Sequence, residues 1–482
     1  MKNIINFYSM SLEIPLENYK FNLITNPCDK YQFGEIFSPL NLIQDMFKML
    51  PDKSFEDPNK KWLDPGSGLG NFSIVLFHKL MNGLENIIPD TNKRHEHIIT
   101  KMMYMVEIKS SSVIKLREIF GPNANIIEGD YTTVSITNDF DFIIGNPPYN
   151  SSGIKKVPTN SKKDKKNDGR TVWNLFVKKS VSLLKPNGFL LFIIPSIWMK
   201  PDKAKMYNFM TERKLEKIKC LTNTETNKVF NGEAQTPTCI VLLKNCIKDG
   251  FTDLFDKNRD TYIHYKLHSL KPIPIFGSSL IQKLNKYVKK CGPLIVKKTN
   301  MPPIGVSISP NLSNEHIFKN IKTCLITSHD IIAHAVPEHE NLYYPNIIIN
   351  YSNQELAFSG KIKLVLAHKM YGFPFLDYTG EYGISNRDNY VITDRSVKEL
   401  EKLRDFLATK TALYIFESAR YRMKYLEKYA FEYIPDITKL EDFPDEINDQ
   451  TIAEYFHFDQ HDIKYIQTLH RKSYSFSPLI KN

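Results

Sequence analysis

The sequence "GNPPYN" at residues 145–150 places an amide, two prolines and an aromatic ring directly after an apolar run. Proline lacks a backbone N–H and cannot continue sheet hydrogen bonding, so a strand must end here. The two prolines fix the backbone and hold Asn146 and Tyr149 in set positions. Asn146 offers an oxygen acceptor and Tyr149 an aromatic face, which together suit a planar base with an exocyclic amino group. The alternative is a rigid turn without a chemical role.

Three carboxylates follow earlier apolar runs in the same manner. Asp64, Glu107 and Asp130 each end a predicted strand, and Asn146 follows the next one. Strands and helices alternate along this part of the chain, which predicts a parallel α/β sheet. Ligands of such sheets lie beyond the C-terminal ends of the strands. We therefore expect the four side chains to share one site, although Glu107 alone could equally be an exposed carboxylate capping the next helix.

The stretch "LDPGSGLGNF" at residues 63–72 predicts a tight turn between a strand and a helix. Gly66 and Gly68 let the backbone turn sharply and approach a ligand closely. The helix behind them has free N–H groups at its N-terminus, which suit a pyrophosphate or a carboxylate. Asp64 precedes the glycines, where it would repel a phosphate and attract an ammonium group. The loop therefore favours a zwitterionic amino-acid group over a pyrophosphate.

The remaining strand ends suit an adenosine. Glu107 could accept hydrogen bonds from both ribose hydroxyls, and Asp130 could accept one from an adenine amino group. Tyr131 could stack on the adenine ring. An adenosine with an amino-acid tail is S-adenosylmethionine, so the sequence predicts this cofactor.

The elements that must position these residues form a doubly wound, Rossmann-like α/β sheet over residues 1–265. We expect Ser38 to cap an early helix with Pro39 in its first turn, and Asn187-Gly188 to close the helix that begins near Trp173. A second, α+β domain is predicted over residues 266–482, with helices at 395–431 and 449–471. The predicted strands of the first domain are 61–65, 102–108, 124–130, 139–145, 189–195, 217–223 and 236–245.

These motifs together resemble the N6-adenine DNA methyltransferases of the gamma arrangement, and among them the type II and Eco57I-like modification enzymes. "GEIFSP" (34–39) is similar to the motif before their glycine loop, and "NPPY" (146–149) to their catalytic tetrapeptide. "KVFNGEAQTPTCIVLLK" (228–244) resembles a later motif whose aromatic packs against the flipped base. The likeness is close over about residues 30–245. Two departures are Ser38 in place of the usual Thr and an insertion at residues 83–100 that we expect to loop out.

The resemblance implies a S-adenosylmethionine-dependent methyltransferase sheet and a C-terminal target-recognition domain. It implies transfer of a methyl group to N6 of an adenine flipped out of double-stranded DNA. The implied catalytic residues are Asn146, Pro147, Pro148, Tyr149 and Phe230. The implied cofactor-binding residues are Ser38, Pro39, Asp64, Gly66, Gly68, Glu107, Ile108, Asp130, Tyr131 and Asn146.

The bulk composition is compatible with a nucleic-acid partner. The 482 residues include 64 Lys and Arg against 53 Asp and Glu, a formal charge of +11. An excess of this size equally suits an ordinary basic surface. The six cysteines show no zinc-ligand spacing, no run of about 18 apolar residues occurs, and the N-terminus lacks a signal-peptide pattern. We expect a cytoplasmic protein with no metal and no membrane contact.

The basic residues predict where DNA would be contacted. Residues 155–170, "KKVPTNSKKDKKNDGR", carry seven basic and two acidic side chains and follow the tetrapeptide closely. Arg420 and Arg422 could instead form structural ion pairs on a helix. The predicted DNA contacts are Lys155, Lys156, Lys162, Lys163, Lys165, Lys166 and Arg170 in the first domain, with Lys361, Lys363, Lys369, Arg387, Arg420 and Arg422 as candidates in the second.

Several functions remain open at this stage. The same tetrapeptide occurs in methyltransferases that act on protein glutamine, and related enzymes act on RNA. A non-enzymatic DNA-binding subunit is a third alternative. The large second domain and the basic charge favour DNA. Only about 30 residues precede the first motif, which leads us to expect methylation without cleavage. We expect a monomer, with any restriction endonuclease encoded separately.

Overall fold

The computed structural model describes most of the chain, and the predicted contacts Lys155, Lys156, Lys162, Lys163, Lys165, Lys166, Arg170 and Lys369 lie outside the described residues. The chain divides into two compact units, Met1–Phe255 with His264–Leu267, and Asp256–Ile263 with His268–Asn482. The described residues are 36–137, 139–150, 171–234, 236–325, 346–368, 374–422, 426–469 and 479–481.

The first unit is built around one large mixed sheet. Its described strands are β1 (Trp62–Asp64), β2 (Met103–Glu107), β3 (Asn125–Glu128), β4 (Phe140–Gly145), β5 (Leu184–Pro195), β6 (Arg213–Leu221), β7 (Thr238–Ile247), β8 (Phe251–Asp256) and β9 (Thr261–Lys266). Its described α-helices are α1 (Leu40–Phe47), α2 (Asn71–Gly83), α3 (Thr91–His97), α4 (Ser110–Phe120), α5 (Trp173–Leu183), α6 (Met206–Thr211) and α7 (Asn223–Val229).

The order of the strands confirms the expected doubly wound, Rossmann-like fold. The sheet runs β3-β2-β1-β4-β5-β7-β6-β8-β9. The first five strands pair in parallel, and β7 runs antiparallel to both β5 and β6. The order in which strands are added changes side between β1 and β4. The strands β2 and β3 lie on one side of β1, and β4 and β5 lie on its other side. Such a switch point opens a crevice at the C-terminal strand ends.

A row of stacked aromatic rings crosses the sheet at this switch point. Trp62 on β1 stacks on Phe142 of β4 with ring centroids 4.0 Å apart, and Phe142 stacks on Phe189 of β5 at 5.7 Å. The same residues are register partners across the parallel pairs. Aromatic pairs of this kind contribute about 0.5–1.5 kcal/mol each beyond the area they bury. The row therefore holds β1, β4 and β5 in the register that aligns their ends.

Two local expectations in the first unit are wrong. The helix α5 ends at Leu183, and Asn187-Gly188 lies inside β5, where Asn187 has a φ of 65°. The register between β4 and β5 shifts at this point, and Asn187-Gly188 lies in the extra length of β5. The insertion at residues 83–100 does not simply loop out, because it forms α3, whose first turn Asp90 caps through the Lys93 N–H at 2.9 Å.

The second unit has strands in two sheets. One has the order β10-β17-β14-β15, and the other contains β11-β13-β12-β16 with β18 beside β13. These described strands are β10 (Lys297–Lys298), β11 (Ile308–Ser309), β12 (Phe318–Leu325), β13 (Asn346–Ser352), β14 (Lys363–Ala367), β15 (Pro374–Asp377), β16 (Gly383–Ile384), β17 (Asn389–Ile392) and β18 (Leu479–Lys481).

The described helices of the second unit are shorter than expected. They are α8 (Ser278–Cys291), α9 (Val397–Leu407), α10 (Lys410–Ser418), α11 (Asp449–Tyr455) and α12 (Gln460–Thr468). Four of them lie within the ranges 395–431 and 449–471, where helices were predicted, and each range contains two of these α-helices. Thr409 and Asp459 separate the two helices of each range, because each side chain accepts backbone N–H groups as the N-terminal cap of a new helix.

A buried ion pair in the second unit overturns one predicted DNA contact. Lys363 on β14 is fully buried and donates to Asp377 Oδ2 on β15 at 2.5 Å. The same carboxylate accepts the N–H groups of Gly380 and Tyr382 at 2.9 and 3.2 Å. Lys363 therefore cannot reach a phosphate, because its charge is enclosed between two strands.

The other candidates of this unit differ in their surroundings. Arg420 pairs with Glu417 and Arg422 with Glu427, as the ion-pair alternative has it. Lys361 lies 3.7 Å from Asp394 on the surface, and Arg387 is half-buried. Across the described ranges, no helix is both long and apolar enough to cross a membrane.

Replacement of Lys363 by Ala is expected to destabilise the second unit by about 3–5 kcal/mol, because it leaves a buried carboxylate without its cation. Lys361→Ala, which removes an exposed partner of Asp394, is the matched control and should have little effect. Hydrogen exchange of the β14 amides measures the opening free energy of this unit. Equal protection in the two variants would contradict a structural role for the pair.

Candidate functional site

A cavity of about 440 Å³ opens at the C-terminal ends of β1, β2 and β4. It lies at the switch point of the sheet, where parallel α/β proteins bind ligands. Its wall brings together nine of the residues singled out from the sequence, which are Ser38, Gly66, Gly68, Glu107, Ile108, Asp130, Tyr131, Asn146 and Pro148.

The glycine loop between β1 and α2 forms one side of this cavity. Gly68 and Gly70 have φ angles of 54° and 88°, which L side chains rarely adopt. A Cβ on Gly70 would lie 2.9 Å from Leu116 Cδ2, so glycine is also required for close packing against α4. The Ser67 N–H donates to the Val106 carbonyl at 3.0 Å, which ties the loop to the end of β2.

Glu107 joins the glycine loop to the start of α4. Its Oε2 accepts the Gly68 N–H at 2.8 Å, and its Oε1 accepts the Lys109 N–H at 2.9 Å. Burial raises the pKa of Glu107, while the backbone donors of Lys109 and Gly68 act in the opposite direction. Each carboxylate oxygen retains acceptor capacity after one hydrogen bond. A carboxylate held in this way at the cavity wall can accept hydroxyl groups from a ligand.

Asp64 is not part of the cavity wall, although the sequence pointed to it as a ligand-facing carboxylate. Its side chain is 2% exposed, and Oδ2 accepts the Ser73 hydroxyl of α2 at 3.0 Å. Burial raises the pKa of Asp64 to about 7, against the effect of hydrogen bonds from Ser73 and the Gly66 backbone, and the charge of Glu107 adds to the rise. The observed role of Asp64 is to bind the start of α2 to the end of β1.

Asn146 presents a buried acceptor at the cavity wall. Its Nδ2 donates to Ser38 Oγ at 3.2 Å and to the Ile36 carbonyl at 3.4 Å. Its Oδ1 is buried and has no hydrogen-bond partner among the described residues. A buried acceptor without a donor costs roughly 1–3 kcal/mol, so a ligand N–H that reached it would relieve this cost. Asn146 therefore places an unsatisfied acceptor at the cavity wall, which an N–H group could satisfy.

The prolines and the tyrosine after Asn146 have different surroundings. Pro147 is buried, and Pro148 forms part of the cavity wall. Tyr149 is half-buried and outside the wall, and burial raises the pKa of its phenol far above the ordinary value. Its carbonyl accepts the Val172 N–H at 3.1 Å, which returns the chain to this edge of the sheet at the start of α5.

Two aromatic residues do not offer the open ring faces expected of them. Tyr131 is 2% exposed, its hydroxyl is 2.9 Å from Ser180 Oγ, and its ring packs against Phe176. Phe230 is 3% exposed, follows the last residue of α7, and lies outside the cavity wall. In this structure both rings are buried, and the stacking role of Tyr131 and the packing role of Phe230 stay predictions.

The polar residues at the remaining strand ends differ in detail from expectation. Asp130 lies two residues beyond the end of β3, and its Oδ1 accepts both the N–H and the hydroxyl of Thr132 at 2.8 Å. Ser38 does not cap α1, because Pro39 occupies the capping position and the Ser38 hydroxyl instead faces Asn146. The segment before α1 therefore belongs to the site through Ser38 rather than through its helix.

Sequence reasoning missed several residues of the wall. Asn71 begins α2, and its Nδ2 donates to the Ser38 carbonyl at 3.0 Å. Phe176 could have been found as an apolar residue in the first turn of the helix that follows the tetrapeptide. The wall residues that were missed include Phe37, Asn71, Phe72, Val172, Leu175 and Phe176.

Residues 71–230 match the family model described as Eco57I restriction-modification methylase. The matched range, here called the Eco57I-type region, contains Glu107, Asp130 and the tetrapeptide. The predicted likeness to Eco57I-like modification enzymes is thereby confirmed for this region.

Two curated proteins are similar to parts of the chain. The type II methyltransferase M.AccI of Acinetobacter calcoaceticus is 27% identical over 267 residues, which are 53% of this chain and 42% of that protein. The type II restriction enzyme and methyltransferase RM.Eco57I of Escherichia coli is 29% identical over 154 residues, 30% of this chain and 14% of that protein. The matches thus span less than half the length of these relatives.

A loose structural likeness covers about half of the chain. The M protein of the type I restriction enzyme EcoKI has a TM-score of 0.34 and 17% identity, over 47% of this chain and 49% of that chain.

The raised pKa of Asp64 predicts a pH-dependent stability. The folded protein retains a proton on Asp64 that the unfolded chain releases near pH 4, so this contribution is complete below that pH and is lost as pH rises through about 7. The free energy of unfolding of Asp64→Asn, relative to that of the wild type, should therefore rise by on the order of 2–4 kcal/mol between pH 4 and pH 8.

Tryptophan fluorescence during urea unfolding measures this gain, because Trp62, Trp173 and Trp198 all lie in the first unit. Asp45→Asn, which alters a half-exposed carboxylate on α1, is the matched control. A constant difference between Asp64→Asn and the wild type across this pH range would contradict the prediction.

Proposed function

We propose that this chain is a DNA methyltransferase of a restriction-modification system, and that it transfers a methyl group from S-adenosylmethionine to the N6 amino group of adenine. The observation that carries the proposal is the buried Asn146 Oδ1, which has no partner among the described residues and belongs to a cavity-wall residue. The relatives M.AccI and RM.Eco57I, both named as type II methyltransferases, support methyl transfer as the reaction.

The chemistry of the cavity fits the cofactor. Glu107 would accept hydrogen bonds from the ribose hydroxyls. Asp130 would accept one from the adenine amino group, because Thr132 donates only to its Oδ1. The tightly turned backbone at Gly66 and Gly68 would lie along the amino-acid group. Among the described residues, a Cβ on Gly66 would have Phe176 as its one neighbour within 4 Å, at 3.8 Å, so the space beside this glycine is open to a ligand. S-adenosylmethionine, when bound, supplies an electrophilic methyl group. Glu107 lies on the cavity wall and accepts the Gly68 N–H, which disfavours a phosphate ligand at the same position.

The residues of the tetrapeptide would act on the target base. Asn146 Oδ1 would accept one amino hydrogen of a flipped adenine, and the Pro147 carbonyl would accept the other. Two acceptors at the amino hydrogens draw the nitrogen lone pair out of conjugation with the ring. Flipping costs a few kcal/mol, which hydrogen bonds and stacking offset. Tyr149 remains the predicted stacking surface and Phe230 a predicted packing partner of the base.

The wider setting of the reaction is part of the proposal. The second unit would recognise the target sequence, and the basic residues of 155–170 would contact phosphates together with Lys369 and Arg387. We propose a monomer that methylates double-stranded DNA in the cytoplasm without cleaving it, with any endonuclease encoded separately. DNA binding through these cations would weaken steeply as salt rises.

Asn146→Ala is expected to lower the rate of N6-methyladenine formation by at least about 100-fold, in line with the loss of a buried group that polarises a reacting centre. Plasmid DNA is incubated with methyl-labelled cofactor and its nucleosides are analysed by mass spectrometry. Asn59→Ala, a change in a surface turn, is the control and should retain the wild-type rate. Label found only in RNA, in protein or on cytosine would contradict the proposal.

Glu107→Gln tests the cofactor site separately. Each carboxylate oxygen of Glu107 accepts a backbone N–H, one from Gly68 and one from Lys109. In Glu107→Gln the side-chain NH2 group would face one of these N–H donors and lose that hydrogen bond. We expect the dissociation constant for S-adenosylhomocysteine, measured by calorimetry, to rise about tenfold or more. Asn59→Ala, in a surface turn, should leave this constant within about threefold of the wild type, since a change of that size is below 1 kcal/mol. Unchanged affinity in Glu107→Gln would rule out Glu107 as a cofactor contact.

A further inference from the structure

A chain of three polar side chains connects the glycine loop to the tetrapeptide. Asn71, the first residue of α2, donates from Nδ2 to the Ser38 carbonyl at 3.0 Å. Ser38 in turn accepts Asn146 Nδ2 at its Oγ, at 3.2 Å. Asn71 and Ser38 are 7% and 3% exposed, so the hydrogen bond between them is buried, and the one from Asn146 to Ser38 is partly buried. Three segments that are distant in sequence thus hold one another at the cavity wall.

The arrangement determines which way the Asn146 amide faces. A hydroxyl such as that of Ser38 can donate or accept, and by itself it would tolerate either orientation. The Ile36 carbonyl can only accept, and it lies 3.4 Å from Asn146 Nδ2. If the amide were reversed, Oδ1 would face this carbonyl oxygen, and two acceptors would oppose each other. The pair of acceptors therefore holds the NH2 group away from the ligand side.

The opposite end of the amide is consequently left as an acceptor. Asn146 Oδ1 is buried and has no donor among the described residues. The fold bears this cost, roughly 1–3 kcal/mol, although rotation of the amide could place Oδ1 against the Ser38 hydroxyl. An orientation that leaves an acceptor unsatisfied is understandable if an incoming N–H group occupies it during the reaction.

We propose that Ser38 and Asn71 are positioning residues that orient the Asn146 amide so that its Oδ1 receives the amino group of the target base. The inference rests on the proposed function. Ser38 acts through its hydroxyl on Asn146 Nδ2. Asn71 acts one step further away, through the Ser38 backbone, and it couples the start of the cofactor loop helix to the base-recognising amide.

The first test observes the amide directly, without cofactor or DNA. Side-chain amide resonances are recorded on protein labelled with ¹⁵N at asparagine, and the Asn146 signal is assigned by its absence in Asn146→Asp. Ser38→Ala should shift this signal and speed its hydrogen exchange about tenfold or more, as expected for a lost hydrogen bond of about 1.4 kcal/mol. Ser38→Thr keeps the hydroxyl and should restore both values.

An unchanged signal in Ser38→Ala would overturn the proposal. If Ser38→Ala does not fold, as judged by tryptophan fluorescence, Ser38→Cys replaces it, because a thiol is only a weak acceptor. This measurement also separates the inference from the proposed function. A wild-type protein that methylates no DNA would refute the proposed function and leave the amide result standing.

The second test uses the reaction itself. Ser38→Ala should lower the single-turnover rate about 10- to 100-fold at saturating DNA and cofactor, as a small misplacement of a positioning group does. Asn146→Asp presents an acceptor oxygen in either rotamer, so Ser38→Ala should change the rate of that variant by less than about threefold. Equal slowing in both backgrounds would show that Ser38 acts by another route and would overturn the proposal.

Discussion

The parallel pairing of β1 with β2 on one side and β4 on the other is the constraint on which the candidate site depends. Trp62 of β1 is the register partner of Met103 on β2 and of Phe142 on β4. This pairing aligns the C-terminal ends of three strands, so that the glycine loop after β1, Glu107 at the end of β2 and Asn146 after β4 lie at one edge of the sheet. The stacking of Trp62 on Phe142 strengthens the pairing of β1 with β4 at the switch point of the sheet. A slip of either strand would separate the polar groups of the cavity wall.

Backbone donors and buried carboxylates give the site its electrostatic character. Glu107 accepts one N–H from the glycine loop and one from the start of α4, so a single carboxylate holds two loops. The buried Asp64 joins the end of β1 to the start of α2, because it accepts the Ser73 hydroxyl. Burial of both groups raises their pKa values, since an ionised carboxylate is less stable away from water. Glu107 also occupies the Gly68 N–H, a donor that an anionic ligand could otherwise use.

The second unit shows how residue type alone can mislead. Lys363 and Arg387 are both basic, and the sequence treats them as equivalent candidates for DNA contact. The pairing of β14 with β15 places Lys363 opposite Asp377, where its charge is enclosed. Arg387 is half-buried instead. The strand register therefore makes Lys363 a structural cation, and its residue type alone does not reveal this.

The sequence by itself determined the doubly wound sheet and nine residues of the cavity wall. Alternating apolar runs and glycine turns specify local strands and helices, and parallel strands necessarily bring Glu107 and Asn146 to one edge. The extents of the second unit's helices, the bulge at Asn187-Gly188 and the burial of Tyr131 and Phe230 could not be predicted, because they depend on partners distant in sequence.

The tertiary structure also decided the role of Ser38 and the direction of the Asn146 amide. Nothing local indicates that Ser38 would leave the helix cap to Pro39 and accept a hydrogen bond from a residue 108 positions away. Nor does the motif "NPPY" state which end of the amide faces the cavity. That direction follows from the position of the Ile36 carbonyl, and a backbone position of this kind exists only once the chain has folded.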